Sequence, residues 1–479
     1  MSAVAYEPVV GLEIHVQLST RTKMFCGCEV SFGDPPNTHT CPVCLGLPGS
    51  LPVTNARAVH FGLMIGLALG CDIAERSLFH RKNYFYPDNP KGYQISQYDV
   101  PLCRGGHLGE VRIHRVHLEE DAAKLNHLGA SGRIHGADRS WVDFNRCGTP
   151  LVEIVTEPDI RSAGQARDWL IVLRETLRQI GVSDVNMDEG SLRCDANVSV
   201  RPCGSGELGT KTELKNMNSF RFLERGIEKE IERQIGLLGS GYSVVQETLH
   251  FDPASERLTP LRSKEEAHDY RYFPEPDLVP LLVSESMLKA ARAELPAELP
   301  AERAVRFENE LGLSAARARL LAFRPELGEY FERALAHDVP GVDAATIANW
   351  IELLIERIGR DGDPAESKVT PESLVALAAM VSSKAVSRDA ARDVLTMLAE
   401  EGGDPQKIVE REGLGAISAA EDGLGELVDR AIASDPAAAE QVRSGNMRAI
   451  GPLVGYVMRE TKGRADGGEV TRLIRERLG

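Results

Sequence analysis

Apolar and polar positions alternate strictly along the first readable stretch of the chain. In residues 9–18 (VVGLEIHVQL), Leu12, Ile14, Val16 and Leu18 fall on one face of a predicted strand and Glu13, His15 and Gln17 on the other. Glu13 and His15 therefore stand roughly 7 Å apart and parallel, within reach of one hard cation. Residues 192–200 (LRCDANVSV) repeat the pattern, with Arg193, Asp195, Asn197 and Ser199 opposite Leu192, Cys194, Ala196, Val198 and Val200. Residues 151–155 (LVEIV) break it, because Glu153 shares its face with Leu151 and Val155, the face a sheet normally buries. An unpaired carboxylate there would cost several kcal/mol or take up a proton. A structural salt bridge or a solvent-edge strand accounts for it; so does a sheet whose concave side is a polar site.

Helical periods separate these strands. Thr54 or Asn55 caps a helix running to Leu69, and its small residues Gly62, Gly66 and Ala68 predict close packing on a sheet. Ser162 starts a helix with Leu170, Leu173, Leu177 and Ile180 on one stripe; Asn218 or Ser219 starts another with Phe220, Leu223, Ile227 and Ile231. From about Leu282 the alternation stops and Ala, Leu, Glu and Arg dominate. Helices are expected near residues 301–311, 314–323, 325–336, 344–358, 372–380 and 389–400. The predicted fold class is α+β: a sheet domain (1–292), an all-α helical domain (293–404) and a small helical tail domain (405–479).

Composition narrows the function. The chain has 479 residues, enough for two or three domains, with the 42% hydrophobic and 26% charged content of a globular protein. A net charge of −16 argues against non-specific coating of nucleic acid, and 5% aromatics are too few for base stacking to dominate binding. The tail differs: residues 445–479 carry seven basic against four acidic side chains, which fits an RNA-backbone contact or an ordinary charged helix surface. The opening MSAVAYEPVV has no basic region followed by an apolar core, so a cytoplasmic location is expected.

Nine cysteines include Cys26-Gly-Cys28 and Cys41-Pro-Val-Cys44, a spacing that brings four thiolates around one zinc at about 2.3 Å. No water-activating position is visible, so the zinc reading is structural; unligated thiols are the alternative. Residues 80–97 (HRKNYFYPDNPKGYQISQ) show no usable period and read as a loop over a site or a solvated surface loop. In residues 209–220 (GTKTELKNMNSF), Lys211, Glu213 and Lys215 share a face, either a solvated edge or a hold on a nucleotide phosphate. No glycine-rich phosphate loop is present.

These stretches, with HLEEDAAK, DFNRCGTPLVEIVTEPDI, EGSLRCDANVSV, DYRYFPEPDL and GPLVGYVM, run nearly end to end in an order that resembles one family. It is the B subunit of the tRNA-dependent glutamyl/aspartyl amidotransferases. The resemblance implies a cradle-shaped, largely antiparallel catalytic domain and a tail that holds tRNA. It implies ATP-dependent transamidation of misacylated Glu-tRNA(Gln), Asp-tRNA(Asn) or both: the side-chain carboxylate is phosphorylated, then ammonia displaces phosphate. It also implies two partners, a glutaminase A subunit and a small C subunit; the chain itself lacks an amidase-type Ser-Ser-Lys signature. Carried over by motif, Glu13, His15, Glu120 and Glu153 form the Mg²⁺ shell, with Glu119 and Asp195 as further candidates. Lys82 and Glu120 line an ammonia entry. Lys211, Lys215 and Asp195 are then the candidates for contacting ATP, and Cys26, Cys28, Cys41 and Cys44 hold a structural zinc that some members lack. Two other readings stay open: an ATP-dependent ligase for a small carboxylate, and a zinc-containing RNA-binding scaffold without catalysis.

Overall fold

A computed structural model describes residues 5–128, 137–215, 217–252, 255–262, 270–359, 363–415, 423–461, 464–465 and 467–479. The chain forms two compact units, Met1–Leu299 and Pro300–Gly479.

The first unit is built on a ten-stranded sheet. Its working strands are β1 (Tyr6–Gln17), β4 (Val111–Glu120), β5 (Pro150–Thr156), β6 (Leu192–Pro202), β7 (Thr212–Lys215), β8 (Thr248–Asp252) and β9 (Arg257–Arg262); β2 (His80–Asn83) and β3 (Tyr93–Ser96) form a separate small sheet. Across the large sheet the order is β9-β8-β7-β6-β1-β5-β4, continuing into the two-residue strands Cys103–Arg104 and Asp72–Ile73. Only the β7–β8 pairing is parallel among the pairs along this path. The apolar alternation sets the core face. Leu12, Ile14 and Val16 of β1 sit beside Val152 and Ile154 of β5 and Cys194 and Ala196 of β6, all buried.

Three helices follow the sequence signals: α1 (Ala56–Ala68), α2 (Ala163–Gln179) and α3 (Phe220–Gly239). Asn55, Ser162 and Ser219 cap them through side-chain oxygens that accept first-turn N–H groups. Gly62 is needed for the approach of α1, since a Cβ there would lie 2.8 Å from Leu102 Cδ2 and 3.2 Å from Leu118 Cδ2. Residues 80–97 depart from expectation. They form the antiparallel pair β2–β3, with Lys82 opposite Gln94, and a third short strand, Phe273–Pro274, adds to β2. Charged and aromatic side chains on both faces hid the period of two.

The second unit is helical, with helices Pro300–Leu311, Ala315–Ala322, Pro325–Leu335, Ala344–Ile358, Pro371–Ser382 and Arg388–Glu401 where the periodicity put them. Among the described residues it holds two separate cores. One gathers Phe307, Phe331, Leu354, Leu374 and Leu395; the other Leu424, Val428, Leu453, Val457 and Ile474. The expected boundary at residue 405 falls on the helix Pro405–Glu412, whose Ile408 and Val409 pack into the first core. Lys462 and Asp466 of the basic tail lie outside the described residues. No described helix is long and apolar enough to cross a membrane.

Candidate functional site

Strand register assembles the site. Arg193 of β6 pairs with His15 of β1, His15 pairs with Glu153 of β5, and Glu153 pairs with His117 of β4. One row of four polar side chains thus crosses four strands on the face opposite the core. In the adjoining row Glu119 follows Leu151 and Gln17. His15 Nε2 lies 3.6 Å from Glu119 Oε1 and 3.6 Å from Glu153 Oε2, while His117 Nε2 lies 3.2 Å from Glu153 Oε2 and 3.8 Å from Glu119 Oε2. The Ser96 hydroxyl donates to Glu119 Oε2 at 3.0 Å.

Burial and charge compete here, and charge wins. Burial pulls the His117 imidazole down, but the charges of Glu153 and Glu119 and their hydrogen bonds raise it to about 9. His15 is raised in the same way against burial, chiefly by Glu153. Burial pushes the Glu153 carboxyl up, yet His117 and His15 hold it well below the usual carboxylate range. Lys82 of β2 is raised against its own burial, first by the charge of Glu119. Its Nζ also lies 5.0 Å from the centre of the Tyr270 ring.

His15, Lys82, Glu119, Arg193, Asp195 and Lys215 line one cavity of about 360 Å³. Three cations and three potential acids or ligands thus face the same space. Asp121 anchors Arg193 by accepting from its NH2 at 2.9 Å, and Gln17 holds Asp121 in turn at 2.8 Å. The Arg193 Nε is buried without a partner. Lys215 Nζ bridges Asp195 Oδ2 at 3.1 Å and Glu213 Oε1 at 3.0 Å.

The structure sorts the residues expected from sequence. His15 and Glu153 come together with Glu119, their ligand atoms all within 4.8 Å of one another. That spacing and the mix of two carboxylates with one imidazole fit a divalent ion. Glu13 sits one row away, accepting from Asn197 Nδ2 at 2.8 Å, opposite Asp195. Glu120 is a correction: it is not in this group. Neighbouring residues of a strand point to opposite faces, so Glu119 enters the cluster and Glu120 leaves it. Glu120 pairs with Lys91 and accepts the Ile95 N–H at 2.9 Å. It lines a second cavity of about 200 Å³ with Lys23, Cys26, Cys44, Lys91 and Gly148. Lys211 precedes β7, is exposed, and does not line the cavity that Lys215 lines.

Cys26, Cys28, Cys41 and Cys44 converge as expected, their sulfurs within 4.8 Å of one another and none in a disulfide. The hydrogen bond from Cys26 and the N–H of Cys41 hold the Cys44 thiol down at about 4 despite burial. Four thiols so arranged, one of them ionised, fit zinc.

Sequence reasoning missed His117 and gave Asp121 no role; Lys91 it placed only among the cations that residues 80–97 could supply to a phosphate. His117-x-Glu119 repeats the i, i+2 spacing of Glu13-x-His15, and that echo was the available signal.

Two family models match the chain: a GatB/GatE catalytic domain over residues 8–289 and a GatB domain over residues 329–478. Full-length relatives are named as B subunits of aspartyl/glutamyl-tRNA(Asn/Gln) amidotransferase. The one from Frankia casuarinae is 50% identical, covering 99% of this chain and 96% of the relative. That from Geobacter sulfurreducens is 48% identical and that from Brevibacillus brevis 47%, each covering 99% of both chains.

Proposed function

The chain belongs to the family of amidotransferase B subunits, and on that premise we propose that it carries the ATP-dependent half-site of tRNA-dependent amidation. The substrate is Glu-tRNA(Gln), Asp-tRNA(Asn) or both. ATP phosphorylates the side-chain carboxylate of the attached amino acid, and ammonia from a glutaminase A subunit displaces phosphate. A small C subunit completes the assembly, and the terminal helical module holds the tRNA.

The observation that carries this reading is the mixed charge of one hollow: His15 and Glu119 of the acid–imidazole cluster line the same cavity as Lys82, Arg193 and Lys215, with Glu153 behind them. A carboxylate attacking a phosphoryl group is an anion meeting an anion. Such a reaction is accelerated by preorganised positive charge more than by a protein nucleophile. His15, Glu119 and Glu153 would hold Mg²⁺, with Glu13 in the next row. The ion, when bound, neutralises charge on the phosphoryl oxygens. Arg193, fixed by Asp121, and Lys215, fixed by Asp195 and Glu213, present cations that need no reorganisation when substrate arrives. Lys82 lies near Glu119 and Glu153 and is well placed to orient the substrate carboxylate. On the other side of β4, the pairing of Lys91 with Glu120 would let neutral ammonia pass and retain ammonium.

The test is to co-express the chain with its candidate glutaminase partners and assay Glu-tRNA and Asp-tRNA amidation separately with ATP and glutamine. Product that depends on tRNA and ATP is expected. Amidation of a free small carboxylate at the same rate would favour a simple ligase instead.

A further inference from the structure

Lys23 lies between β1 and the first cysteine pair, and its side chain is among the largest that are fully buried. Its ammonium donates to the His39 carbonyl at 2.8 Å and the Phe144 carbonyl at 3.1 Å, and stands 3.7 Å from Cys44 Sγ. Lysine is seldom buried without a carboxylate, because a desolvated ammonium costs several kcal/mol unless an anion compensates it. Among the described residues no carboxylate lies within ion-pair distance of it. Glu120, which lines the same cavity, is already engaged by Lys91 and the Ile95 N–H. Carbonyl oxygens satisfy donors but carry no net charge. Among the described residues, the group in contact that can supply it is the sulfur of Cys44.

The reverse need is equally clear. Four thiolates around a dication leave a net charge of minus two, which a half-buried site must offset. Lys23 also draws its three contacts from three segments: the turn between the cysteine pairs, the second pair, and the link that leads into β5. That link is closely fitted. Met24 N–H donates to the Gly148 carbonyl at 2.7 Å. Gly148 has φ +84°, and a Cβ there would sit 3.5 Å from Lys23 Cδ, 3.6 Å from Cys44 Cβ and 3.8 Å from Glu120 Oε2.

We infer that Lys23 is a positioning residue for the four-cysteine centre: its ammonium is the resident counter-charge of the zinc-bound thiolates and ties them to the link before β5. This rests on reading the cysteines as a zinc centre. The thiolates then compensate both the metal and the lysine, and the knuckle becomes part of the wall that carries Glu120.

Full-length Lys23→Met and Lys23→Gln variants test it, with zinc affinity measured by competition with a chromophoric chelator. Both variants should bind zinc about ten- to a hundredfold more weakly, the scale for losing an outer partner of a metal ligand. Lys23→Gln keeps donors for the carbonyls but not the charge, so wild-type affinity in that variant would overturn the inference. Cobalt substitution gives a second readout, since the thiolate-to-cobalt charge-transfer band should shift in both variants. Zinc removal should lower Tm less in Lys23→Met than in the wild type, because the variant binds zinc more weakly and gains less stability from it. Equal drops would make Lys23 an ordinary packing residue. A wild-type chain that neither contains nor takes up zinc would instead refute the zinc reading itself.

Discussion

Replacing Glu153 with Gln removes the nearer of the two carboxylates that His117 faces while leaving volume and shape almost unchanged. Glu153 is 7% exposed, and its Oε2 lies 3.2 Å from His117 Nε2 and 3.6 Å from His15 Nε2. His117 is held at about 9 against an ordinary value of 6.5. At about 1.4 kcal/mol per pH unit, the proton on His117 contributes roughly 3 kcal/mol to stability. The sign follows from a raised imidazole: the contribution is complete below pH ~6.5 and is lost as pH rises through ~9. In Glu153→Gln the burial penalty remains and its main compensation is gone, so His117 becomes neutral near pH 7 and that pH dependence collapses. Urea unfolding in magnesium-free buffer measures this in a Trp350→Phe background, where Trp141 and Trp169 report on the first unit alone. The variant should be less stable than its parent by about 3 kcal/mol at pH 6 and converge with it near pH 9.5. A constant gap across that range would refute the claim that Glu153 holds the His117 proton. In the reconstituted enzyme, tRNA-dependent ATP hydrolysis should fall by about a hundredfold or more while tRNA affinity stays unchanged. Retained turnover would remove Glu153 from the proposed metal site.

Other predictions test separate parts. Cys44→Ser should abolish zinc retention in elemental analysis and lower Tm, whereas Cys203→Ser, at an exposed thiol outside the cluster, should change neither. Lys215→Met should raise KM for ATP roughly ten- to a hundredfold, the worth of a charge-assisted hydrogen bond, with tRNA affinity unchanged; an unaltered KM would move the nucleotide elsewhere. A chain ending at Gly415 keeps Ile408 and Val409 in the first helical core and loses the second. It should bind tRNA at least about tenfold more weakly by filter binding if the basic tail contacts the backbone, and equal affinity would take the tail out of the tRNA site. Gly148→Ala should cost about 1–2 kcal/mol in urea unfolding, because φ +84° is a left-handed conformation that a side chain resists.

Local structure was the legible part of the fold. Helix starts at Asn55, Ser162 and Ser219 coincide with their caps because capping is a short-range exchange between a side-chain oxygen and the first turn's N–H groups. The alternation in β1 from Leu12 onward and in β6 as far as Val198 held because there only the apolar face is fully buried. Residues 80–97 were illegible for the opposite reason. Arg81 of β2 is clamped by Glu275 and Asp277, nearly two hundred positions away, and stacks near Tyr93. With charges satisfied by distant partners, neither face of that strand needs to be apolar, and no period survives in the sequence.

The site itself shows where local reading stops. A period of two assigns His15 and Glu153 each to a face, but it cannot say which residue of one strand stands beside which residue of another. Register supplies that, and register is nonlocal: it is fixed by core contacts such as Ile14 beside Ile154 and Ile154 beside Val116. Slipping β5 by one residue against β1 would place Val152 or Ile154 beside His15 and send Glu153 into the core. The apolar face would oppose that slip at a cost of several buried side chains, each worth about 1.5–3 kcal/mol. The same packing that stabilises the sheet therefore aligns Arg193, His15, Glu153 and His117 in one row. Parity also explains the exchange of Glu120 for Glu119. Both acids end β4, but Val116 and Leu118 belong to the core face, so Glu120 must follow them to the cysteine side and only Glu119 can join His117. One strand thus delivers adjacent carboxylates to two cavities, and the chemistry proposed for each depends on which side of β4 its residue occupies.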